Sequence, residues 1–455
     1  MRDTSSSNEV TNRTGKATHV RWSILTMLFI VTTVNYADRA AIAIAGPQIK
    51  QYLHMSSVEM GFVFSAFAWS YMLVQLPGGW LLDRFGSRIT YFFSIFLWSV
   101  LTMMMGGVGF VGAGAAVAVL FGLRLLIGAA EGPAFPGNSR LTSAWFPAKE
   151  RGTAAAVFNS SQYFATVLFA PIMGWLVHSY GWQSAFYLMG ALGIVLAAIW
   201  LKVIYEPANH PRINAAEFQY LKDGGALVDL DNGAAAAHAS LADSWVLVKR
   251  LMANRMLLGI YIGQYGISAL TYFFLTWFPV YLVTERHMTI LKAGFVSALP
   301  AIGGCCGGIL GGVISGWLLQ SGRTLTVARK VPIIIGLLLS MTMVICNFVS
   351  ADWIVIAVMS LAFFGKGFGA LGWAVVSDTS PKEGGGLSGA LFNMFGNLAG
   401  ITTPIVIGFI LQATGSFAWA LVFIGGNALV TIFAYLFIVG DIKRVDFSKP
   451  VVPQA

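Results

Sequence analysis

Twelve apolar stretches, each long enough to cross a lipid bilayer, limit what this chain can become. They fall at about 22 to 44, 60 to 82, 89 to 109, 115 to 138, 152 to 177, 183 to 204, 256 to 283, 292 to 319, 329 to 349, 353 to 377, 386 to 411 and 417 to 440. A crossing takes roughly 20 apolar residues, and in hydrocarbon the backbone must satisfy its own hydrogen bonds, so runs of this length become helices. Charged residues make up only 10% of the 455, against about 25% in soluble domains. A polar segment from about Glu206 to Arg255 splits the stretches six and six. The expected architecture is an all-α membrane protein with twelve transmembrane helices in two pseudo-symmetric six-helix bundles. Its parts are an N-terminal tail over residues 1–21, a first bundle over 22–204, a linker over 205–255, a second bundle over 256–440 and a C-terminal tail over 441–455.

The net charge of +9 would suit a nucleic-acid binder, but the positions of the basic residues read otherwise. With the N-terminus in the cytoplasm, 22 Lys and Arg fall on that side and three (Lys50, Arg286, Lys292) on the other, with Arg39, Arg124 and Lys366 inside the membrane. The positive-inside rule then expects both termini in the cytoplasm, so the basic balance is topological and implies no nucleic-acid partner. The first 20 residues lack the short apolar core of a secretory signal. Cys305, Cys306 and Cys346 lie in apolar stretches without metal-ligand spacing, and no metal site is expected. The linker, with Pro207, Pro211, Asp223, Asp229, Asp231 and the run Ala234 to Ala237, is expected to hold one short interfacial helix near residues 215–221 and no chemistry.

The charges inside the membrane carry the functional signal. Ionised groups at that depth cost about 2.5 to 3.5 kcal/mol each even on mild insertion scales, so they face polar interiors and partner one another. Asp38 and Arg39 sit in the first stretch within Asn35, Tyr36, Ala37, Asp38, Arg39. Arg124 and Glu131 sit in the fourth, and their spacing turns an ideal helix by about 700°, which puts both on one face. Two readings stand for each pair: a polar pathway, or an ion pair that ties helices together. Helix eight carries glycines at 304, 308, 312 and 316, a spacing that lets helix backbones approach; Gly78, Gly79 and Gly384 to Gly386 read the same way, the last also breaking the chain before helix eleven.

Between helices two and three stands Gly79, Trp80, Leu81, Leu82, Asp83, Arg84, Phe85, Gly86, Ser87, Arg88. This resembles the signature loop of the major facilitator superfamily, a conformational latch in which Asp83 pairs with arginines, with Gly79, Arg84, Gly86 and Arg88 completing the motif. Its counterpart after helix eight, Gly316 to Arg323, lacks the aspartate, which leaves an equal latch in the second half in doubt. The runs Asn35 to Arg39, Gly61 to Trp80, Glu131 to Pro136, Trp145 to Pro147 and Phe363 to Trp373 are similar to the anion:cation symporter family, and within it to bacterial D-glucarate/D-galactarate (hexarate) permeases.

The resemblance implies the major facilitator fold, a bacterial inner membrane, and proton-coupled import of a sugar acid by alternating access, with protons as coupling ion and no other cofactor. It implies that Asp38 and Glu131 carry the protons while Arg39 and Arg124 hold the substrate carboxylate or govern those protons. Lys366 lies near mid-membrane in Phe364, Gly365, Lys366, Gly367, Phe368, Gly369. With Arg124 it is expected to clamp the two ends of a dicarboxylate; the other reading has it paired with a carbonyl or acid, or snorkelling. Tyr36, Tyr71, Asn159, Gln162, Gln264, Tyr265, Ser377, Asn393 and Asn397 offer directional hydrogen bonds to hydroxyls, and Trp277 and Trp373 a surface for the carbon chain. Each of these singly reads equally well as glue between helices. Helices one, four, seven and ten are expected to line the cavity of a monomer bathed in lipid.

Three further inferences weigh the options. No histidine lies deep in a helix, which leaves Asp38 and Glu131 as the proton carriers by elimination as well. An enzyme is not expected, since no histidine is followed by glutamate and no Gly-Lys-Ser/Thr phosphate loop occurs. A channel would want rings of charge rather than single dispersed ones. A permease for a hexonate or another monocarboxylic sugar acid such as galactonate is the alternative.

Overall fold

The computed structural model describes residues 17–229, 241–381 and 385–447. Most of the N-terminal tail, Asp231, the run Ala234 to Ala237, Lys382, Gly384 and Lys449 lie outside the described residues. Twelve helices are long and apolar enough to cross a membrane: α1 (Val20–Tyr52), α2 (Ser57–Phe85), α3 (Ser87–Gly106), α4 (Gly114–Trp145), α5 (Arg151–Tyr180), α6 (Trp182–Val203), α7 (Arg255–Thr284), α8 (Ile290–Gln320), α9 (Leu325–Phe348), α10 (Asp352–Thr379), α11 (Gly385–Thr414) and α12 (Ala418–Ile438). Large apolar side chains such as Phe93, Val313, Trp353 and Leu436 stand exposed around the outside, where acyl chains would cover them.

The two bundles repeat one another at their turns. His54 and His287, after α1 and α7, both take a left-handed φ of about +50°. The α2/α3 and α8/α9 turns use Gly86 at +77° and Gly322 at +76°, a conformation glycine adopts without a Cβ clash. Gly181 and Gly415 do the same after α5 and α11. The caps repeat too: Ser56 accepts from Glu59 N at the start of α2, and Thr289 accepts from Lys292 N at the start of α8.

Several helices run differently from their apolar stretches. The fourth continues past Gly132 and Pro133 to Trp145, because the apolar window ends before the amphipathic last turns do. In α7, Pro279 has no N–H to return to the carbonyl one turn earlier, and the turn before it widens into a π-bulge over Phe273–Trp277. In α10 the glycine-rich middle tightens over Phe368–Leu371. The α8 glycine stripe also packs otherwise than its spacing of four suggests. Gly304, Gly307 and Gly311 abut Phe363, Phe364 and Phe368 of α10, whereas Gly312 and Gly316 meet open space.

The linker does more than join the halves. Its helix Ala215–Asp223 presents Glu217, fully buried, to the start of α1. The carboxylate accepts from Val20 N at 2.9 Å, Arg21 N at 3.2 Å, Thr18 Oγ1 at 2.7 Å and Arg21 Nη1 at 3.1 Å, a helix cap supplied from almost 200 residues away in sequence. A second helix, Leu241–Ala253, leads into α7.

The face that carries the start of α1 and the end of α12 is the basic face. At the opposite, far face the bundles are pressed together along two seams. A Cβ on Gly61 of α2 would lie 2.6 Å from Pro404 O of α11, and one on Gly408 of α11 would lie 2.6 Å from Ser57 O of α2. The other seam mirrors it, with Gly174 of α5 and Gly294 of α8 facing each other.

Candidate functional site

The charges meet where α1 and α4 cross. Gly128 lets α4 approach α2 so closely that a Cβ there would lie 2.3 Å from Phe67 O. One turn earlier, the Arg124 guanidinium lies 5.2 Å from the Phe67 ring centroid. Glu131, fully buried, accepts from Arg39 at 2.7 Å, and Arg39 also donates to Asn35 Oδ1 at 3.0 Å. Three rings enclose the Arg39 guanidinium, at 4.3 Å (Phe67), 4.7 Å (Tyr36) and 5.0 Å (Tyr71) from their centroids, each giving a cation–π contact of the kind worth about 0.5 to 2 kcal/mol. Asp38 is buried beside them, within electrostatic reach of Glu131, Arg124 and Arg39. The Thr102 hydroxyl is the hydrogen-bonding neighbour of its carboxylate, and among the described residues Arg124 Nε has no hydrogen-bond partner.

A cavity between the bundles opens next to this cluster. Tyr36, Gln162 and Tyr163 line it from the first half, and Thr271, Phe274 and Phe363 from the second. Lys366 is buried on its α5/α8 flank, with Nζ 5.1 Å from the Phe363 centroid and 5.7 Å from that of Tyr163. Arg124 packs against Phe67 of α2 and, like Lys366, stands behind the cavity wall, which α1, α5, α7, α8 and α10 supply; α4, expected to line it, does not. Tyr272 of α7 comes within electrostatic reach of Arg39 and Arg124 from across the divide, and its hydroxyl donates to Asn397 Oδ1 at 3.1 Å.

The other expected contacts divide. Tyr36 and Gln162 line the cavity, and Tyr71 stacks on Phe67 beside Arg39. Asn393 reaches across the halves to Gln75 at 2.9 Å. Trp373, 44% exposed, packs edge-on against Phe392 toward the basic face. Asn159 is turned back on the Ala155 carbonyl, and Gln264 bonds Ser268 within its own bundle. Ser377 does not join the cluster; it lies at the basic end of α10, where Arg444 reaches its carbonyl. Tyr265 is tied to Thr402. Trp277 is not a wall for a carbon chain: fully buried, it donates to Pro404 O at 3.1 Å and packs on Phe64 and Phe417. Tyr163, Tyr272 and Gln75 were not singled out in the sequence, because a neutral side chain in an apolar run carries no desolvation alarm.

The latch is wired differently from its motif. Asp83 pairs with Arg140 of α4, whereas Arg84 stacks on Trp80 and Phe85. Arg88 instead bonds the Leu201 carbonyl and lies 4.0 Å from the Tyr205 ring centroid, fastening α3 to the end of α6. The motif places the aspartate, but its partner comes from a helix more than fifty residues away. The second half replaces the missing aspartate with another pairing: Arg329 binds Asp378 at 2.8 Å and Ser315 Oγ at 2.9 Å.

Known proteins set this arrangement in context. Residues 28–329 match the Major Facilitator Superfamily. The chain is 59% identical over 435 residues to the probable galactarate/D-glucarate transporter GudP of Bacillus subtilis (strain 168), covering 96% of this chain and 95% of that one. It is 55% identical over 450 residues to the probable galactarate/D-glucarate transporter GudP of Escherichia coli (strain K12), covering 99% and 100%. Among solved structures, a bacterial homologue of the human lysosomal transporter Spinster, in an inward-facing and occupied conformation, superposes with a TM-score of 0.67 at 15% identity, covering 93% of this chain and 95% of that one. By match length, by near full-length identity and by fold, the chain belongs to the major facilitator superfamily.

Proposed function

We propose that the chain imports a sugar diacid, a hexarate such as D-glucarate or D-galactarate, together with protons across a bacterial inner membrane by alternating access. The observation that carries this reading is the buried cluster of two acids and two arginines around Tyr36, a residue of the cavity wall, with Lys366 buried behind Tyr163 and Phe363 of the same wall. A hexarate has a carboxylate at each end and hydroxyls between. Arg124 and Lys366 are the two ends of the clamp, and Tyr36, Gln162 and Asn393 meet the hydroxyls.

Electrostatics favours proton coupling. Moving one charge across 100 mV takes about 2.3 kcal/mol, so a dianion entering a negative interior meets roughly twice that. Two protons travelling with it cancel this term. With both acids ionised, Asp38, Arg39, Arg124, Glu131 and Lys366 sum to +1; with both protonated they sum to +3. Protonating Glu131 frees Arg39 from its ion pair, and protonating Asp38 removes a second negative charge within electrostatic reach of Arg124, so proton binding prepares the site for an anion. The two glycine seams shut the far face, which in this reading is the periplasmic side.

The test is uptake into proteoliposomes with an inward proton gradient, offering labelled D-glucarate beside D-gluconate. Strong glucarate uptake that collapses with the gradient supports the reading. Preference for gluconate discards the clamp and keeps the symporter, and uptake indifferent to the gradient discards the coupling.

A further inference from the structure

The α2/α11 seam ends on an amide pair for which the clamp and the proton carriers have no use. Asn393 Nδ2 donates to Gln75 Oε1 at 2.9 Å, a hydrogen bond from one bundle to the other. Beyond it toward the basic face the helices part: a Cβ on Gly79 of α2, or on Gly385 or Gly386 of α11, would meet nothing within 4 Å.

An amide side chain has one acceptor oxygen and one donor nitrogen, so committing Nδ2 to Gln75 settles which way Asn393 faces. Its Oδ1 is what remains to offer. One turn on, Asn397 is fixed in the same sense, its Nδ2 donating to Asn393 O at 3.0 Å and its Oδ1 accepting from Tyr272. Gln75 has a matching vacancy. Its Nε2 is buried with no hydrogen-bond partner among the described residues, and buried donors left unpaired are rare in folded proteins.

A free donor beside an oriented acceptor matches an alcohol, which accepts through its oxygen and donates through its hydrogen. A carboxylate does not fit, since it has no hydrogen to give Oδ1. We infer that Gln75 and Asn393 form a hydroxyl-binding pair for the transported sugar acid, built from both bundles and therefore complete only while the α2/α11 seam is closed at their level. The inference rests on the sugar-acid reading above. It makes Gln75 a substrate-binding residue on a helix that contributes none of the charged groups, and it ties recognition of a hydroxyl to one conformation of the carrier.

The test uses the purified full-length protein in proteoliposomes and measures exchange of D-glucarate, D-galactarate and D-gluconate, continuing with whichever the wild type moves best. The variants are Gln75→Leu, Asn393→Leu, the double variant and the reciprocal swap Gln75→Asn with Asn393→Gln, each checked for a monodisperse size-exclusion profile. Each amide orients the other through the Asn393–Gln75 hydrogen bond, so either single variant disables the whole pair and is expected to raise KM about tenfold, with maximal exchange within about twofold of wild type. The double variant is expected to be no worse than the weaker single one, and the swap to recover most of the loss. An unchanged KM in Gln75→Leu, single effects that multiply in the double variant, or a fall in maximal rate alone overturns the pair. A wild type that moves none of the three acids overturns the sugar-acid reading and this inference with it. A wild type that moves one of them while Gln75→Leu keeps its KM overturns this inference alone.

Discussion

Arg39 and Glu131 are joined by an ion pair of 2.7 Å, although 92 residues separate them. Asp38, the neighbour of Arg39 in sequence, is buried without an ion pair among the described residues, its hydrogen-bonding neighbour being the neutral Thr102 hydroxyl. The two acids therefore start from different positions. Glu131 must lose an arginine when it takes a proton, and Asp38 need not.

In the proposed mechanism both acids are nonetheless needed for net transport and neither for exchange. Glu131→Gln keeps the shape of the side chain while holding it in the neutral state. Uptake driven by a proton gradient is expected to fall by about two orders of magnitude, on the scale of breaking a buried pair, while substrate exchange at zero gradient persists. Asp38→Asn is expected to behave likewise. The measurement is counterflow against gradient-driven uptake in the same vesicles, and a variant that loses both equally would place the residue in folding or binding instead.

In the proposed mechanism Lys366 is the point at which hexarate and hexonate transport part. Among the described residues it makes no salt bridge, and its ammonium stands 5.1 Å from the Phe363 ring centroid and 5.7 Å from that of Tyr163. Lys366→Gln is expected to raise KM for D-glucarate about tenfold or more, the scale of one charge-assisted hydrogen bond, and to leave D-gluconate exchange little changed. Equal loss of both substrates would remove Lys366 from the clamp.

How much of this was legible in the sequence follows from what each residue costs. The twelve spans and the five buried charges stand out because a charge in an apolar run is expensive wherever it sits. The Asp83 motif is legible, but its partner Arg140 is not, since a loop pattern names one side of a contact and the fold supplies the other. The linker looked inert because Glu217 is an ordinary polar residue in a polar segment; only its burial against α1 reveals the cap. Tyr272 and Gln75 were hidden for the opposite reason, as neutral groups whose importance lies in what another helix brings to them.

The glycine seams predict a conformational effect. A Cβ on Gly294 would lie 2.7 Å from Ala170 O and 2.9 Å from Gly174 Cα, both backbone atoms that cannot swing aside. Gly294→Leu should keep the far face from shutting. Ser297→Cys, a cavity-lining position on α8, placed in a background without the three native cysteines, is expected to react several-fold faster with an impermeant thiol reagent from the far face when Gly294→Leu is present. Labelling that stays at the background rate would mean that α5 and α8 close on something other than this contact.

Glu217 tests the fold rather than transport. Its carboxylate accepts from two backbone N–H groups of α1 and from Arg21, which Glu150 also binds at 3.1 Å. Glu217→Ala leaves those donors buried and Arg21 half-paired, a loss of about 3 kcal/mol on the scale of broken buried pairs. A melting temperature several degrees lower in detergent is the expected result, with Glu217→Gln intermediate because it restores an acceptor without the charge.

His210 gives the linker a pH dependence. Its ring stands edge-on to Trp145 at 5.3 Å and Tyr205 at 5.4 Å, and its Nδ1 accepts from Arg212 N at 3.1 Å. Burial holds its pKa below the ordinary 6.5; a hydrogen bond with the Val203 backbone opposes this, Arg212 adds a smaller push downward and Glu217 a still smaller one upward. The folded protein therefore takes up this proton later than the unfolded chain as the pH falls. The neutral ring contributes its full share of stability above about pH 6.5, and that share is lost as the pH drops through the folded-state value. Melting temperature is expected to fall more steeply below about pH 6.5 in the wild type than in His210→Phe, which keeps an aromatic ring between Trp145 and Tyr205 but cannot be protonated. Thermal unfolding in detergent across that range decides it, because two parallel profiles would show that the imidazole does not titrate with folding.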